Sequence, residues 1–169
     1  MRLNICLAAV AATLVAATPA VAQQASATAT ARGVVLSPLT LTKVSDLDFG
    51  TVAASATAGT VTVNADTGFR TVSGGVTAVP STPSHAQFDG LGQAGQTVQL
   101  SLVPPTGGFL VSGSNSITVN SLSFDSAGTS RTLGAGGNFT AYVGGVFAIA
   151  ANQPNGTYSA LFQVTADYQ

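Results

Sequence analysis

The chain closes on Gly156-Thr157-Tyr158-Ser159-Ala160-Leu161-Phe162-Gln163-Val164-Thr165-Ala166-Asp167-Tyr168-Gln169, and this stretch decides the fold class. Tyr158, Ala160, Phe162, Val164, Ala166 and Tyr168 recur at every second position, with Thr157, Ser159, Gln163, Thr165 and Asp167 between them. Side chains alternate across a β-strand, so this spacing predicts a strand with one apolar and one polar face. Leu161 is the single apolar residue on the polar side. At the strand rise, Thr157 to Tyr168 would span roughly 40 Å. The pattern therefore predicts one long strand crossing the domain, begun by a turn at Pro154-Asn155-Gly156.

The same rhythm extends toward the N-terminus. Leu39-Thr40-Leu41-Thr42, Thr60-Val61-Thr62-Val63, Thr97-Val98-Gln99-Leu100-Ser101-Leu102 and Ser116-Ile117-Thr118-Val119 alternate with period two. Gly74-Gly75, Pro104-Pro105, Gly107-Gly108, Gly136-Gly137 and Gly144-Gly145 read as breaks between strands. No window carries an apolar stripe at helical spacing, and the Phe residues are spread from Phe49 to Phe162. The expectation is an all-β sandwich or barrel.

Composition narrows the function. Charged residues make up 7% of the chain, against roughly 25% in an ordinary soluble domain. With Lys+Arg 5 and Asp+Glu 6 there is no basic field to hold a phosphate backbone, which argues against nucleic-acid binding. A hydrophobic fraction of 46% also argues against a disordered tail, which needs low hydrophobicity and high net charge. The chain has no Glu and no Trp, and His85 is its single histidine.

The candidates for chemistry are correspondingly few. His85, in Pro83-Ser84-His85-Ala86, has no companion nitrogen or sulfur ligands for a zinc site and reads as a loop or edge residue. Asp46 and Asp48 read as a turn cap and a solvated face, since a calcium cage needs six or more oxygens. Gly134 to Gly137 precedes no helix pattern, so it reads as a turn instead of a phosphate loop. Ser73, Ser84 and Ser130 have no discernible His/Asp partners. Asn138-Phe139-Thr140 matches a glycosylation acceptor in form alone. No enzyme activity, metal or cofactor is expected.

The beginning of the chain reads as an address. Arg2 precedes an apolar run from Ile5 to Ala17, and Thr18-Pro19-Ala20-Val21-Ala22-Gln23 offers small residues at the spacing of a signal-peptidase site. Residues 1–22 are expected to be a signal peptide cut after Ala22, because the run falls short of the roughly 20 residues of a membrane span. Cys6 lies inside it without a convincing lipid-attachment signal, so the exported chain has no cysteine and must rely on a buried core. Residues 36–169 are then one β-sandwich domain, and 23–35 an extension. In the extension Ala25, Ala27, Ala29 and Ala31 alternate with Ser26, Thr28, Thr30 and Arg32. Two readings stay open: a frayed terminus, or a strand with no partner inside its own domain.

Two pieces of the chain carry a resemblance. One is Leu47-Asp48-Phe49-Gly50-Thr51-Val52, preceded by Pro38 to Leu41 and followed by Gly59-Thr60-Val61-Thr62-Val63. The other is the ending from Gly145, with Ala151-Asn152-Gln153, Gly156-Thr157-Tyr158-Ser159, Phe162-Gln163-Val164-Thr165 and Tyr168. Together they resemble a secreted bacterial domain-of-unknown-function family related to spore coat protein U and to chaperone-usher pilins. The pilin likeness rests on the alternating last strand, its penultimate Tyr168 and Gly156. It departs from many pilins in lacking a cysteine pair.

What the resemblance implies is an immunoglobulin-like sandwich short of one strand. A periplasmic chaperone fills the open groove first, and the N-terminal extension of another copy or related subunit then replaces it, with an outer-membrane usher as the assembly partner. On this basis Ala25, Ala27, Ala29, Ala31, Gly33 and Val35 are the donor residues. Gly156, Tyr158, Phe162, Val164 and Tyr168 belong to the strand that lines the groove and meets the chaperone. Each Ala methyl contributes roughly 0.8 kcal/mol and a Val roughly 1.5 to 3, with roughly 0.5 to 1.5 kcal/mol per backbone bond. The expected function is a structural subunit of an extracellular fibre, reached by way of the periplasm. The alternatives are a secreted monomeric sandwich that binds glycans or forms a surface coat, and a small outer-membrane β-barrel.

Overall fold

The computed structural model describes residues 24–169; the expected signal peptide of residues 1–22 lies outside the described residues. The chain divides between Val34 and Val35 into two units. Within the first, residues 24–34 hold no strand or helix and are exposed.

The second unit is all-β and sandwich-like. Its strands are β1 (Thr40–Ser45), β2 (Val52–Ala53), β3 (Gly59–Val63), β4 (Arg70–Gly74), β5 (Thr77–Ala78), β6 (Ala86–Leu91), β7 (Thr97–Val103), β8 (Phe109–Ser112), β9 (Asn115–Phe124), β10 (Ser130–Thr132), β11 (Asn138–Ile149) and β12 (Gln163–Tyr168). Seven strands form one sheet along the path β1-β6-β11-β3-β4, with β9 also on β11 and β8 on β9. A second sheet runs β10-β7-β12, and β2 pairs with β5. Every described pairing is antiparallel.

The four period-two stretches fall on strands, and their apolar residues build the core. Val61 and Val63 of β3, Val98 and Leu100 of β7, and Ile117 of β9 are buried. Beside Val61, Val63 and Ile117 in the same sheet, and across the core from Val98 and Leu100, are Phe139, Ala141, Val143, Phe147 and Ile149, all at odd positions of β11.

Two expectations need correction, and both concern β11 and β12. Gly144-Gly145 does not break a strand. It lies inside the 12-residue β11, where pairing along one edge passes from β6, through Val143, to β3, from Gly145. A Cβ on Gly144 would stand 2.3 Å from the Val63 carbonyl oxygen and 2.5 Å from the Ala65 nitrogen. The glycine therefore permits close backbone approach at the handover instead of ending the strand. β11, not the C-terminal segment, is the element that crosses the domain.

The C-terminal strand is shorter than predicted. β12 covers 6 residues, and the backbone of the segment before it pairs with another strand only at the bridge of Ser159 with Val111 of β8. Its partner changes from β8 to β7 near Leu161, which interrupts the ladder. The predicted faces nonetheless persist: Tyr158, Ala160, Phe162, Val164, Ala166 and Tyr168 all turn toward the core, and Leu161 is 92% exposed.

The turn after β9 carries a buried ion pair. Arg131 Nη2 lies 2.6 Å from Asp125 Oδ1, and their side chains are 7% and 9% exposed. Arg131 Nη1 also donates to the Gly128 carbonyl, while Asp125 accepts from the backbone N–H of Ala127 and of Tyr142. The pair thus ties β10 to the paired strands β9 and β11. Nearby, Asp66 accepts from the Ser126 N–H at 2.7 Å. That bond, with a smaller contribution from the Ser126 side chain, holds the Asp66 carboxyl below its ordinary range.

Asp125→Ala would leave the Arg131 guanidinium buried and unpaired. The expected loss is about 3–5 kcal/mol, read as a lower urea midpoint with unchanged slope. A stability within experimental error of the parent would contradict this account of the turn.

Candidate functional site

Among the described residues β12 and β1 are edge strands, each laddered on one side only, and their free sides lie over the same core. β12 pairs with β7 alone among the described residues. Gln169 N–H donates to the Thr97 carbonyl at 3.0 Å, which fixes the parity of that ladder. Gln163, Thr165 and Asp167 exchange hydrogen bonds with β7, while Val164, Ala166 and Tyr168 turn their N–H and C=O groups the other way. Those same three residues point their side chains inward. A single row therefore supplies both apolar contacts and open backbone valence.

β1 repeats the arrangement from the other sheet. Gly92 N–H donates to the Gly137 carbonyl at 2.8 Å, so Asp89 and Leu91 of β6 face β1 and bond Thr42 and Thr40. Leu41, and Leu39 just before the strand, turn their backbone groups away from β6.

The floor between these edges is shared. Leu39 and Leu41 pack with Ala166 and Tyr168 against buried Val98, Leu100, Leu133 and Phe139. Leu41, Leu47 and Phe162 pack around buried Ala86, Phe88, Val143 and Val164. Leu47, Phe49, Tyr158 and Ala160 pack against Val61, Ile117, Phe147 and Ile149. All of the flanking residues in these three groups are only partly buried. Together they outline an apolar seam running between β1 and the C-terminal segment.

Its two ends differ. At one end Tyr168 Oη donates to the Ser37 carbonyl at 2.9 Å and accepts from the Gln93 N–H at 2.6 Å. This side chain crosses the seam and ties both walls to the turn after β6. At the other end is a cavity of about 640 Å³, walled by Asp48–Ala54 on one side and Gln153–Tyr158 on the other, with Ile117 and Ile149 beneath.

The cavity walls are held by polar staples. Arg70 Nη1 donates to the carbonyls of Phe49 and Thr51 at 3.0 and 2.8 Å and to Ser81 Oγ at 3.1 Å, and Nη2 donates to the Val79 carbonyl at 2.9 Å. Gly50 has φ 68°, a region that favours glycine, and Asp48 Oδ1 accepts its N–H at 2.7 Å. The Leu47-Asp48-Phe49-Gly50-Thr51 motif is thus two inward apolar residues set by a carboxylate cap and an arginine. On the opposite wall, Gln153 Nε2 donates to Tyr158 Oη and to the Ser116 carbonyl, and Tyr158 Oη donates to the Pro154 carbonyl.

Of the residues singled out in the sequence, Tyr158, Phe162, Val164 and Tyr168 come together along one wall, and Gly156 sits in the bend at the cavity. Ala25, Ala27, Ala29, Ala31 and Gly33 belong to the first unit and form no ladder; Val35, at the start of the second, is 96% exposed. Sequence reasoning missed the opposite wall of Leu39 and Leu41 and the staples Arg70 and Gln153. The one signal was that Arg70 is among the few cations of the chain; Gln153 carried none.

Two other candidates have contacts of their own. His85 stacks on Tyr142 with ring centroids 4.3 Å apart, and its Nδ1 is 2.6 Å from the Ala65 carbonyl oxygen. Asp46 pairs with Lys43 at 2.6 Å on the surface, a contact worth about 0–1 kcal/mol. Among the described residues, no cluster of three or more His, Cys, Asp or Glu could hold a metal ion. None of their helices is long and apolar enough to cross a membrane.

The site thus defines a β-sandwich domain with two open strand edges over one core. By sequence the chain belongs to a family described as a domain of unknown function, DUF4402, whose model matches residues 39–168. No curated protein and no solved structure matches it.

Removing the Tyr168 hydroxyl isolates its contribution to the closed end. Tyr168→Phe leaves the Gln93 N–H and the Ser37 carbonyl without this partner, and is expected to cost about 1–3 kcal/mol in urea unfolding. No change would mean that the hydroxyl does not hold the walls together.

Proposed function

We propose that the protein is a structural subunit of an extracellular pilus-like or fimbria-like fibre, assembled by donor-strand complementation. The observation that carries the proposal is the facing pair of unpaired edges, β12 and β1, above a common apolar floor. A strand laid between them would bond the outward groups of Val164, Ala166 and Tyr168 and cover side chains that are now half-buried. This is β-augmentation, with main-chain bonds supplying affinity and alternate side chains supplying specificity.

The N-terminal extension of a second copy suits the seam in length and in taper. Ala25 to Val35 is eleven residues, as is Tyr158 to Tyr168. Run antiparallel to the C-terminal segment, the extension brings Ala25 beside Tyr168 at the closed end and Val35 beside Tyr158 at the cavity. Methyl groups meet the end that Tyr168 crosses, and the larger Val35 meets the open space. The relation to spore coat protein U and to chaperone-usher pilins belongs to the same proposal. So do export into the periplasm, a chaperone that protects the seam in transit, and an usher.

The edges also bear on solubility. Soluble proteins commonly guard free edges with charge, Lys above all, and after loss of residues 1–22 the chain has only Lys43, Arg32, Arg70 and Arg131 as cations. Arg70 and Arg131 are engaged in hydrogen bonds within the domain. Such a surface favours association over a monomeric life.

The test compares the exported chain, residues 23–169, with a form that begins at residue 36, with and without a synthetic peptide of residues 23–35. The expected result is polymer from the longer form only, and a raised melting temperature when the shorter form takes up the peptide. Identical polymers from both forms, or no thermal shift at saturating peptide, would overturn the donor assignment.

A further inference from the structure

The cavity rim carries a reactive dipeptide. Asn155-Gly156 is the one Asn-Gly pair in the sequence, and both residues are exposed, at a bend outside every ladder. Among the described residues, no hydrogen bond engages the Asn155 side-chain amide or the Gly156 N–H. Asn64 shows the contrast: its Oδ1 accepts from the N–H groups of Asp66 and Thr67 and from Thr67 Oγ1. Gly156 has no Cβ to shield its nitrogen and the widest backbone freedom of any residue.

The geometry points to Asn155 as a self-modifying site that adds charge to the rim of the seam. The Gly156 amide nitrogen attacks Asn155 Cγ. The N–Cγ bond forms, the Cγ–Nδ2 bond breaks, and ammonia leaves with the proton that the Gly156 nitrogen gives up. Water then opens the cyclic imide at either carbonyl, which gives aspartate or isoaspartate. The step is a hydrolysis overall and needs no oxidant, reductant or metal.

The product has a consequence at this place in particular. The residues lining the cavity include Asp48 and no Lys or Arg, and Arg70 behind the Phe49–Thr51 wall already spends its guanidinium on Phe49, Thr51, Val79 and Ser81, so a new carboxylate at position 155 adds negative charge to the lining. A hydrated anion at the mouth of a cavity floored by Ile117 and Ile149 opposes entry of an apolar side chain, since filling the space would strip water from the charge. This regulatory consequence rests on the donor-strand reading. The modification itself does not.

The experiment holds the exported chain at mildly alkaline pH and follows residue 155 by peptide mass spectrometry and enzymatic isoaspartate labelling. Asn155→Ala is the non-reactive control and Asn155→Asp the charged form. The expected result is an amide-to-acid mass change and label at position 155, absent in Asn155→Ala. Capture of the 23–35 peptide should be several-fold weaker in Asn155→Asp than in Asn155→Ala. An intact Asn155, while a free peptide of residues 150–160 converts under the same conditions, would overturn the site. Equal peptide capture by the two variants would overturn the regulation. Conversion at position 155 in a chain whose parent form captures no peptide would support the site and sink the fibre reading.

Discussion

The structure turns on a division of labour within β12. Its odd-numbered residues spend their backbone groups on β7. Its even-numbered residues turn theirs toward solvent while sending their side chains into the core. An edge strand in a soluble protein is normally short, charged or covered. Here the only charged side chain on β12 is Asp167, which points away from the core. Because β1 presents its own open edge across the same floor, the two sheets meet without closing.

The rest of the domain braces that opening. Arg70 and Asp48 set the strand-like run from Leu47 to Thr51, Gln153 and Tyr158 set the opposite wall, and Tyr168 links the far ends. Away from the seam, the buried Asp125–Arg131 pair and the Gly144 handover fix how β9, β10 and β11 sit together. With so few charges in the chain, nearly every one is committed to geometry.

Much of this was legible in the sequence, and the exceptions share a cause. The inward and outward faces of residues 157–168 could be read because burial follows the two-residue period even where no ladder forms. The length of the strand could not, because the change of partner from β8 to β7 near Leu161 leaves the alternation intact. Gly144-Gly145 looked like a strand break because the sequence does not show which backbone will press against a missing Cβ. The role of Arg70 was not legible, since Phe49, Thr51, Val79 and Ser81 meet around it only in the folded chain. One wall of the seam was visible as a pattern, whereas Leu39 and Leu41 became a wall only once β1 was found unpaired on its far side.

The central claim is that the backbone groups of Val164, Ala166 and Tyr168 face an unfilled position. Amide hydrogen exchange measures this directly. In the domain beginning at residue 36, these three amides should exchange quickly while those of Gln163, Thr165 and Asp167 are protected, and added 23–35 peptide should slow the fast set. Protection of all six amides before the peptide is added, or fast exchange that the peptide leaves unchanged, would contradict the account.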